Sequence, residues 1–91
     1  MRIDFAPSAS RHGISRERIR HVVEHCGSPL YPPDDDPEHG DRVMFLGPDA
    51  HAAPLEIVAI ETADGGLCVI HAMRLRGTYG DDYARVTGHR P

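Results

Sequence analysis

Three short apolar segments follow one another in the second half of the chain, and they constrain the fold more than any other feature. They are Val43–Leu46, Leu55–Glu61 and Leu67–Met73, and each is rich in Val, Ile and Leu. The links between them, residues 47–53 and 62–66, contain Gly and Asp, which favour turns. Consecutive strands joined by short links usually pair in antiparallel order. The segments therefore predict a three-stranded antiparallel meander.

A helix is predicted ahead of the meander, over residues 15–26. Ser15 is a favourable N-cap, and Gly27 stands where helices commonly end. The apolar residues of this segment recur at helical spacing and form one stripe: Ile19, Val22, Val23 and Cys26. A single apolar stripe must be covered, and one face of the predicted sheet can cover it.

A second, shorter helix is predicted near the C-terminus, where Tyr79, Tyr83 and Val86 recur at i, i+4 and i+7 and Gly88 follows. A chain of 91 residues has the usual size of one domain. We therefore expect a single α+β domain over residues 1–91. In this domain the N-terminal helix packs on a three-stranded antiparallel meander, in two layers, and a short C-terminal helix follows.

The charges are unevenly distributed. The net charge is −4, with ten basic residues, all of them arginine, against fourteen acids. Five acids lie in the Pro-rich segment 27–41, which predicts a loop: Asp34, Asp35, Asp36, Glu38 and Asp41. Outside this loop nine acids face ten arginines, so the rest of the chain is close to neutral. This balance argues against binding nucleic acid by net charge alone, but it is compatible with a local arginine patch.

The sequence predicts a cytoplasmic protein that does not associate with membranes. No segment has the run of about 18 apolar residues that a membrane-spanning helix needs, and the N-terminus lacks the layout of a signal peptide. Cys26 and Cys68 each lie in an apolar segment and form no C-x-x-C pair. Such thiols are typical of reduced core residues in a reducing compartment.

Residues 21–25 spell H-x-x-E-H, the pattern of inverted zinc peptidases, in which two imidazoles of one helix hold the metal. His21, Glu24 and His25 fall opposite the apolar stripe of the predicted helix, so they face water instead of a walled site. A chain with seven histidines also makes a chance match of this length more frequent. We therefore expect a solvated helix face, with no catalytic metal and no cofactor.

His71 interrupts the last apolar strand. Simple alternation along the strand places it on one face with Leu67, Val69 and Met73. A histidine on a sheet face is either a general acid or base, or a partly buried structural residue held by hydrogen bonds. The sequence leaves both readings open.

Two arginines and a tyrosine follow this strand. Arg74 and Arg76 can hold a phosphate and stabilise the additional charge of a phosphorane. Tyr79 can stack on a base or transfer a proton. The alternative is a solvated arginine pair beside a tyrosine that anchors the C-terminal helix.

Two stretches of the chain resemble a known family. Residues 11–15, RHGIS, followed at once by a helix, resemble the KHGIS opening of BrnT-type toxins, which are RelE-like ribonucleases of bacterial toxin–antitoxin pairs. Residues 69–74, VIHAMR, lead into a tyrosine-bearing segment and resemble the closing IISAR…Y portion of the same family. The order of the predicted elements is also similar.

The resemblance implies a RelE-like fold and an endoribonuclease that cleaves mRNA by attack of the ribose 2′-OH, without a metal or cofactor. It also implies a cognate antitoxin as partner, in a toxin–antitoxin hetero-oligomer, or a homodimer. A non-catalytic protein-interaction module on the same fold is the alternative. The net acidity and the acidic start of the C-terminal helix, with Asp81 and Asp82, favour that alternative.

The resemblance also indicates site residues. His12 matches the basic residue before glycine, and Arg74 matches the arginine or lysine after the last strand; Arg42 and Tyr83 are weaker matches. His71 stands where the family has serine, so its catalytic role is inferred from its own chemistry. The expected catalytic residues are His12, His71, Arg74, Arg76, Tyr79 and Tyr83, and the expected RNA-binding residues are Arg42, Arg74 and Arg76.

Overall fold

The computed structural model describes residues 2–31 and 42–91, and these form an α+β fold. The chain runs through strand β1, a 3₁₀ turn, helix α1, strands β2, β3 and β4, a second 3₁₀ turn and helix α2. The bounds are β1 Ile3–Phe5, first 3₁₀ turn Pro7–Ser10, α1 Arg16–His25, β2 Arg42–Pro48, β3 Pro54–Glu61, β4 Leu67–Arg74, second 3₁₀ turn Gly77–Tyr79 and α2 Gly80–Thr87.

The sheet contains four strands in the order β1-β4-β3-β2. Strands β2, β3 and β4 form the predicted antiparallel meander. The expectation of a purely antiparallel, three-stranded sheet is wrong, because β1 adds to the outer edge of β4 in parallel, with Ile3 opposite Leu67 and Phe5 opposite Val69. β1 is only three residues long, so it shows no alternation in the sequence, and its partner lies far along the chain.

Helix α1 agrees closely with its prediction. Ser15 Oγ accepts a hydrogen bond from the Arg18 backbone N–H at 3.2 Å, which caps the first turn. The helix ends in extended backbone at Cys26, so Gly27 does not act as a left-handed cap. Instead, Gly27 permits a close approach, since a Cβ at this position would lie 2.6 Å from the carbonyl oxygen of Val86.

The sheet is covered on both faces, so the two-layer expectation is wrong. Residues 43–47 of β2 are all buried, which requires a cover on each side. On one face, α1 packs through Ile19, Val22 and Val23 onto apolar side chains of all four strands. On the other face, α2 packs through Tyr83 against Met44 and Leu46. Below, these two sides of the sheet are called the α1 face and the α2 face.

A β-bulge in β4 decides where His71 points. Val58 of β3 is paired with His71, but Ala59 is paired with Val69, so Ile70 has no partner in the ladder. Ser8 Oγ donates a hydrogen bond to the Ile70 carbonyl at 2.6 Å and holds the bulge. The extra residue shifts the alternation by one. Val69 therefore remains on the α1 face, whereas His71 lies on the α2 face beside Val58, and its predicted grouping with Leu67 and Val69 is wrong.

Much of the predicted loop 27–41, with all five of its acids, lies outside the described residues. Within the part that is described, Leu30 forms an isolated antiparallel bridge with Met44. Neither helix in residues 2–31 and 42–91 combines the length and the apolar character needed to cross a membrane.

Candidate functional site

A buried carboxylate lies at the centre of the most polar cluster on the α2 face. Glu56 is in β3 between buried Leu55 and Ile57, and its side chain is 0% exposed. Its oxygens accept hydrogen bonds from the Arg76 backbone N–H at 2.9 Å and from Arg76 Nη2 at 2.7 Å. His71 Nε2 lies 3.1 Å from Oε2. Glu56 thus connects β3 to β4 and to the segment that leads into α2.

Glu56 is ionised at neutral pH. Burial by itself raises the pKa of this carboxyl, but hydrogen bonds from the Arg76 guanidinium and backbone, and then from His71, outweigh burial and leave the pKa below its usual range. An ionised carboxylate can only accept hydrogen bonds. In neutral His71, Nε2 therefore carries the proton and Nδ1 carries the lone pair.

A second imidazole lies against His71. The ring centroids of His12 and His71 are 5.6 Å apart, and the rings meet edge to face at 72°. His12 is exposed, whereas the His71 side chain is 27% exposed. Gly13 follows with φ of +72°, a left-handed conformation that glycine adopts without strain, and it turns the chain from His12 towards the Ser15 cap. Two acid–base groups with different surroundings are thus placed side by side.

Arg76 lies at the open side of the cluster. Its side chain is 52% exposed, and its guanidinium carbon lies 5.5 Å from the centre of the Tyr79 ring, a cation–π contact. Arg76 donates to Glu56 through Nε and Nη2. A guanidinium has five N–H donors, and two of them are on Nη1. Within the described part of the chain these two have no acceptor, so they are available to a ligand.

Three of the expected site residues are not brought into this cluster. Arg74 is exposed and by alternation belongs with Ala72 on the α1 face, opposite His71. Tyr83 is 4% exposed within the α2-face core, and burial, followed by the charge of Asp49, raises the pKa of its hydroxyl. Arg42 is opposite Ile60, about 16 Å along the strand direction from the end that carries Arg76.

Glu56 lies in a predicted strand and is not among the expected site residues, yet it bonds both His71 and Arg76 in the structure. A charged residue inside the apolar run PLEIVAI was nevertheless a usable signal, since a buried carboxylate needs a partner and two arginines, Arg74 and Arg76, follow the neighbouring predicted strand. The partner itself could not be identified without the strand register.

Similarity searches do not assign this cluster a role. No protein-family model, no curated protein and no solved structure matches the chain. The chemistry of the site is therefore argued from its geometry. The cluster combines two imidazoles, one of them oriented by a buried carboxylate, with a half-exposed guanidinium and an aromatic ring, a set suited to proton transfer beside a bound anion.

Proposed function

We propose that this protein is a RelE/BrnT-like endoribonuclease that cleaves RNA by attack of the ribose 2′-OH, without a metal ion. The observation that supports the proposal most is the contact between His12 and His71, with Glu56 behind His71 and Arg76 beside it. Cleavage of this kind needs one base, one acid and a cation near the phosphate, and the cluster contains each.

The tautomer of His71 suggests its role. Its Nδ1 lone pair removes the proton from the 2′-OH, and Glu56 stabilises the imidazolium that forms. The 2′-oxygen attacks phosphorus, the bond from phosphorus to the 5′-oxygen breaks, and His12 donates a proton to that oxygen. The products are a 2′,3′-cyclic phosphate and a 5′-hydroxyl, so atoms and protons balance.

Arg76 supplies the positive charge. Its Nη1 donors can bond a non-bridging phosphate oxygen while Nε and Nη2 remain on Glu56. Glu56 offsets much of the guanidinium charge, so these donors would hold one phosphate mainly by directed hydrogen bonds.

A cognate antitoxin is proposed as the partner on the basis of the family resemblance. The alternative, a non-catalytic interaction module, drew support from the acidic start of α2. In the structure, Asp82 pairs with Arg85 and Asp81 pairs with Arg90, so those acids are balanced within the C-terminal segment. This local balance weakens that support.

The proposal is tested by incubating the purified full chain with a long mRNA in EDTA. We expect fragments that end in 2′,3′-cyclic phosphate, and a rate at least about 100-fold lower for His12→Gln and for His71→Gln, because each removes one proton-transfer group. His51→Gln, at an exposed position in the β2–β3 turn, is the matched control. A substrate with a single 2′-deoxy nucleotide should resist cleavage at that position.

Two results would overturn the ribonuclease. One is the absence of cleavage by the wild-type chain. The other is cleavage that persists unchanged in His71→Gln, which would point to a contaminating nuclease.

A further inference from the structure

The exposed side of α1 carries two histidines that the proposed cleavage does not use. The rings of His21 and His25 are one helical turn apart and stacked, with centroids 4.3 Å apart and planes at 20°. His25 is exposed and His21 is half-buried. The pair lies on the solvent side of the helix, away from the core residues Ile19, Val22 and Val23.

The ring of His25 is held in one tautomer. Its Nδ1 lies 2.9 Å from the backbone oxygen of His21. A carbonyl oxygen can only accept, so Nδ1 donates the proton, and the lone pair of the neutral ring is on Nε2. Histidines that bind metal ions usually donate their second ring N–H in this way, to a backbone carbonyl or a carboxylate. His25 therefore has the arrangement of a metal ligand before any ion is bound.

We propose that His21 and His25 form a two-histidine site for a first-row transition-metal dication, with Cu²⁺ bound more tightly than Ni²⁺ or Zn²⁺. Within residues 2–31 and 42–91, no three His, Cys, Asp or Glu side chains are placed to hold one ion. The protein thus supplies two nitrogen ligands, and water completes the coordination. The site is separate from the proposed ribonuclease, which needs no metal.

The geometry requires one small adjustment. Metal–nitrogen bonds of about 2.0–2.1 Å place two ligating nitrogens about 3 Å apart. The rings are stacked with their centroids 4.3 Å apart, so they must tilt for two of their nitrogens to face one ion. The exposed His25 ring can tilt towards His21 without displacing core atoms. His25 also lies in the last turn of α1, where the partial negative charge of the helix terminus favours a cation.

The test is thermal unfolding of the full chain, without an affinity tag, in the presence of Ni²⁺ or Cu²⁺. An ion at about ten times its Kd should raise Tm by roughly 5–10 °C. His21→Gln and His25→Gln should each lose this rise, whereas the exposed control His51→Gln should keep it. Because protons compete for the same nitrogens, the rise should also shrink as the pH falls.

A second measurement locates the ion. Paramagnetic Cu²⁺ should broaden NMR signals of the last turn of α1 before those around His12 and His71, the imidazole pair of the proposed site. A Tm rise that survives His25→Gln, or one that is lost only in His12→Gln, would overturn the proposal, as would no rise at all. RNA cleavage in EDTA should be the same for His21→Gln and wild type, so failure of either proposal can be recognised separately.

Discussion

Glu56 and His71 lie diagonally across β3 and β4, with Oε2 3.1 Å from Nε2. This contact depends on the bulge at Ile70, because the bulge turns His71 to the face that carries Glu56. The same carboxylate accepts hydrogen bonds from the backbone N–H and the guanidinium of Arg76. Folding of the β3–β4 pair and the segment after it therefore brings together the proposed base, the carboxylate that orients it and the proposed anion-binding donor.

The first prediction concerns the role of Glu56 as a positioning residue. In Glu56→Gln, the amide can donate to His71 Nε2, which moves the proton of the imidazole to Nδ1 and removes the basic lone pair. We expect kcat for RNA cleavage to fall by about 100-fold, with little increase in KM because Arg76, the proposed phosphate ligand, is retained. Steady-state kinetics against pH measure both effects.

Glu61→Gln, at the exposed end of the same strand, is the control and should leave kcat unchanged. Glu56→Asp should keep part of the activity, since it retains the charge. Equal losses of kcat in the Gln and Asp variants, measured at a temperature at which both are folded, would contradict the tautomer argument.

The second prediction concerns pH and stability. The pKa of Glu56 is lowered in the folded chain: burial raises it, but the bonds from Arg76 and His71 outweigh burial. A lowered pKa stabilises the fold above the unfolded-state pKa of about 4.3, and this contribution is lost as the pH falls through the folded-state value. In urea unfolding, the stability difference between wild type and Glu56→Gln should therefore be largest near pH 7. It should shrink below about pH 4; a constant difference over this range would contradict the prediction.

Local patterns in the sequence identified α1, α2 and the three meander strands to within one or two residues at most ends. They did not identify β1 or the bulge at Ile70, because both are defined by pairing with distant residues: Ile3 with Leu67, and Val58 with His71. The sequence also did not show that a second layer covers the sheet. The unbroken apolar run of β2 indicated burial on both faces. Helix α2 was predicted, but its packing against Met44 and Leu46 depends on contacts with residues distant in the chain.

The candidate site was predicted in part. His71, Arg76 and Tyr79 were predicted from their chemistry and His12 from the family resemblance, and the structure places the four close together. Arg74 was chosen with equal reason, yet the pleat sends it to the α1 face. Arg76 follows the end of β4, where the chain turns so that both its backbone N–H and its guanidinium reach Glu56. The sequence cannot distinguish the two arginines without the end of the strand and its register.

The third prediction concerns the close approach of α1 and α2. A Cβ on Gly27 would lie 2.6 Å from the carbonyl oxygen of Val86, and backbone atoms cannot move aside as a flexible side chain can. Gly27→Ala should lower the free energy of unfolding by about 1–3 kcal/mol. Gly77→Ala, where a Cβ meets no atom within 4 Å, is the matched control and should change it little. Urea unfolding of both variants checks this, and equal values would show that the two segments can separate at no cost.

The fourth prediction concerns Asp49, which joins the β2–β3 turn to α1. Oδ1 accepts the backbone N–H groups of His51 and Ala53 at 2.8 and 2.9 Å, and Oδ2 accepts Arg18 Nε at 2.8 Å. The residue is 4% exposed, so removing the carboxylate leaves buried donors unpaired. Asp49→Ala should lower the free energy of unfolding by about 2–4 kcal/mol.

Asp49→Asn separates the two functions of this carboxylate. The amide oxygen can still accept both turn N–H groups, but the amide nitrogen faces the Arg18 guanidinium, donor against donor. We therefore expect a loss between that of Asp49→Ala and wild type, with the helix contact weakened and the turn retained. Asp4→Asn removes a carboxylate from an exposed pair with Arg2 and should shift the free energy of unfolding by less than about 1 kcal/mol. If Asp49→Asn destabilised as much as Asp49→Ala, the ion pair with Arg18, and not the capped turn, would carry the contribution of Asp49.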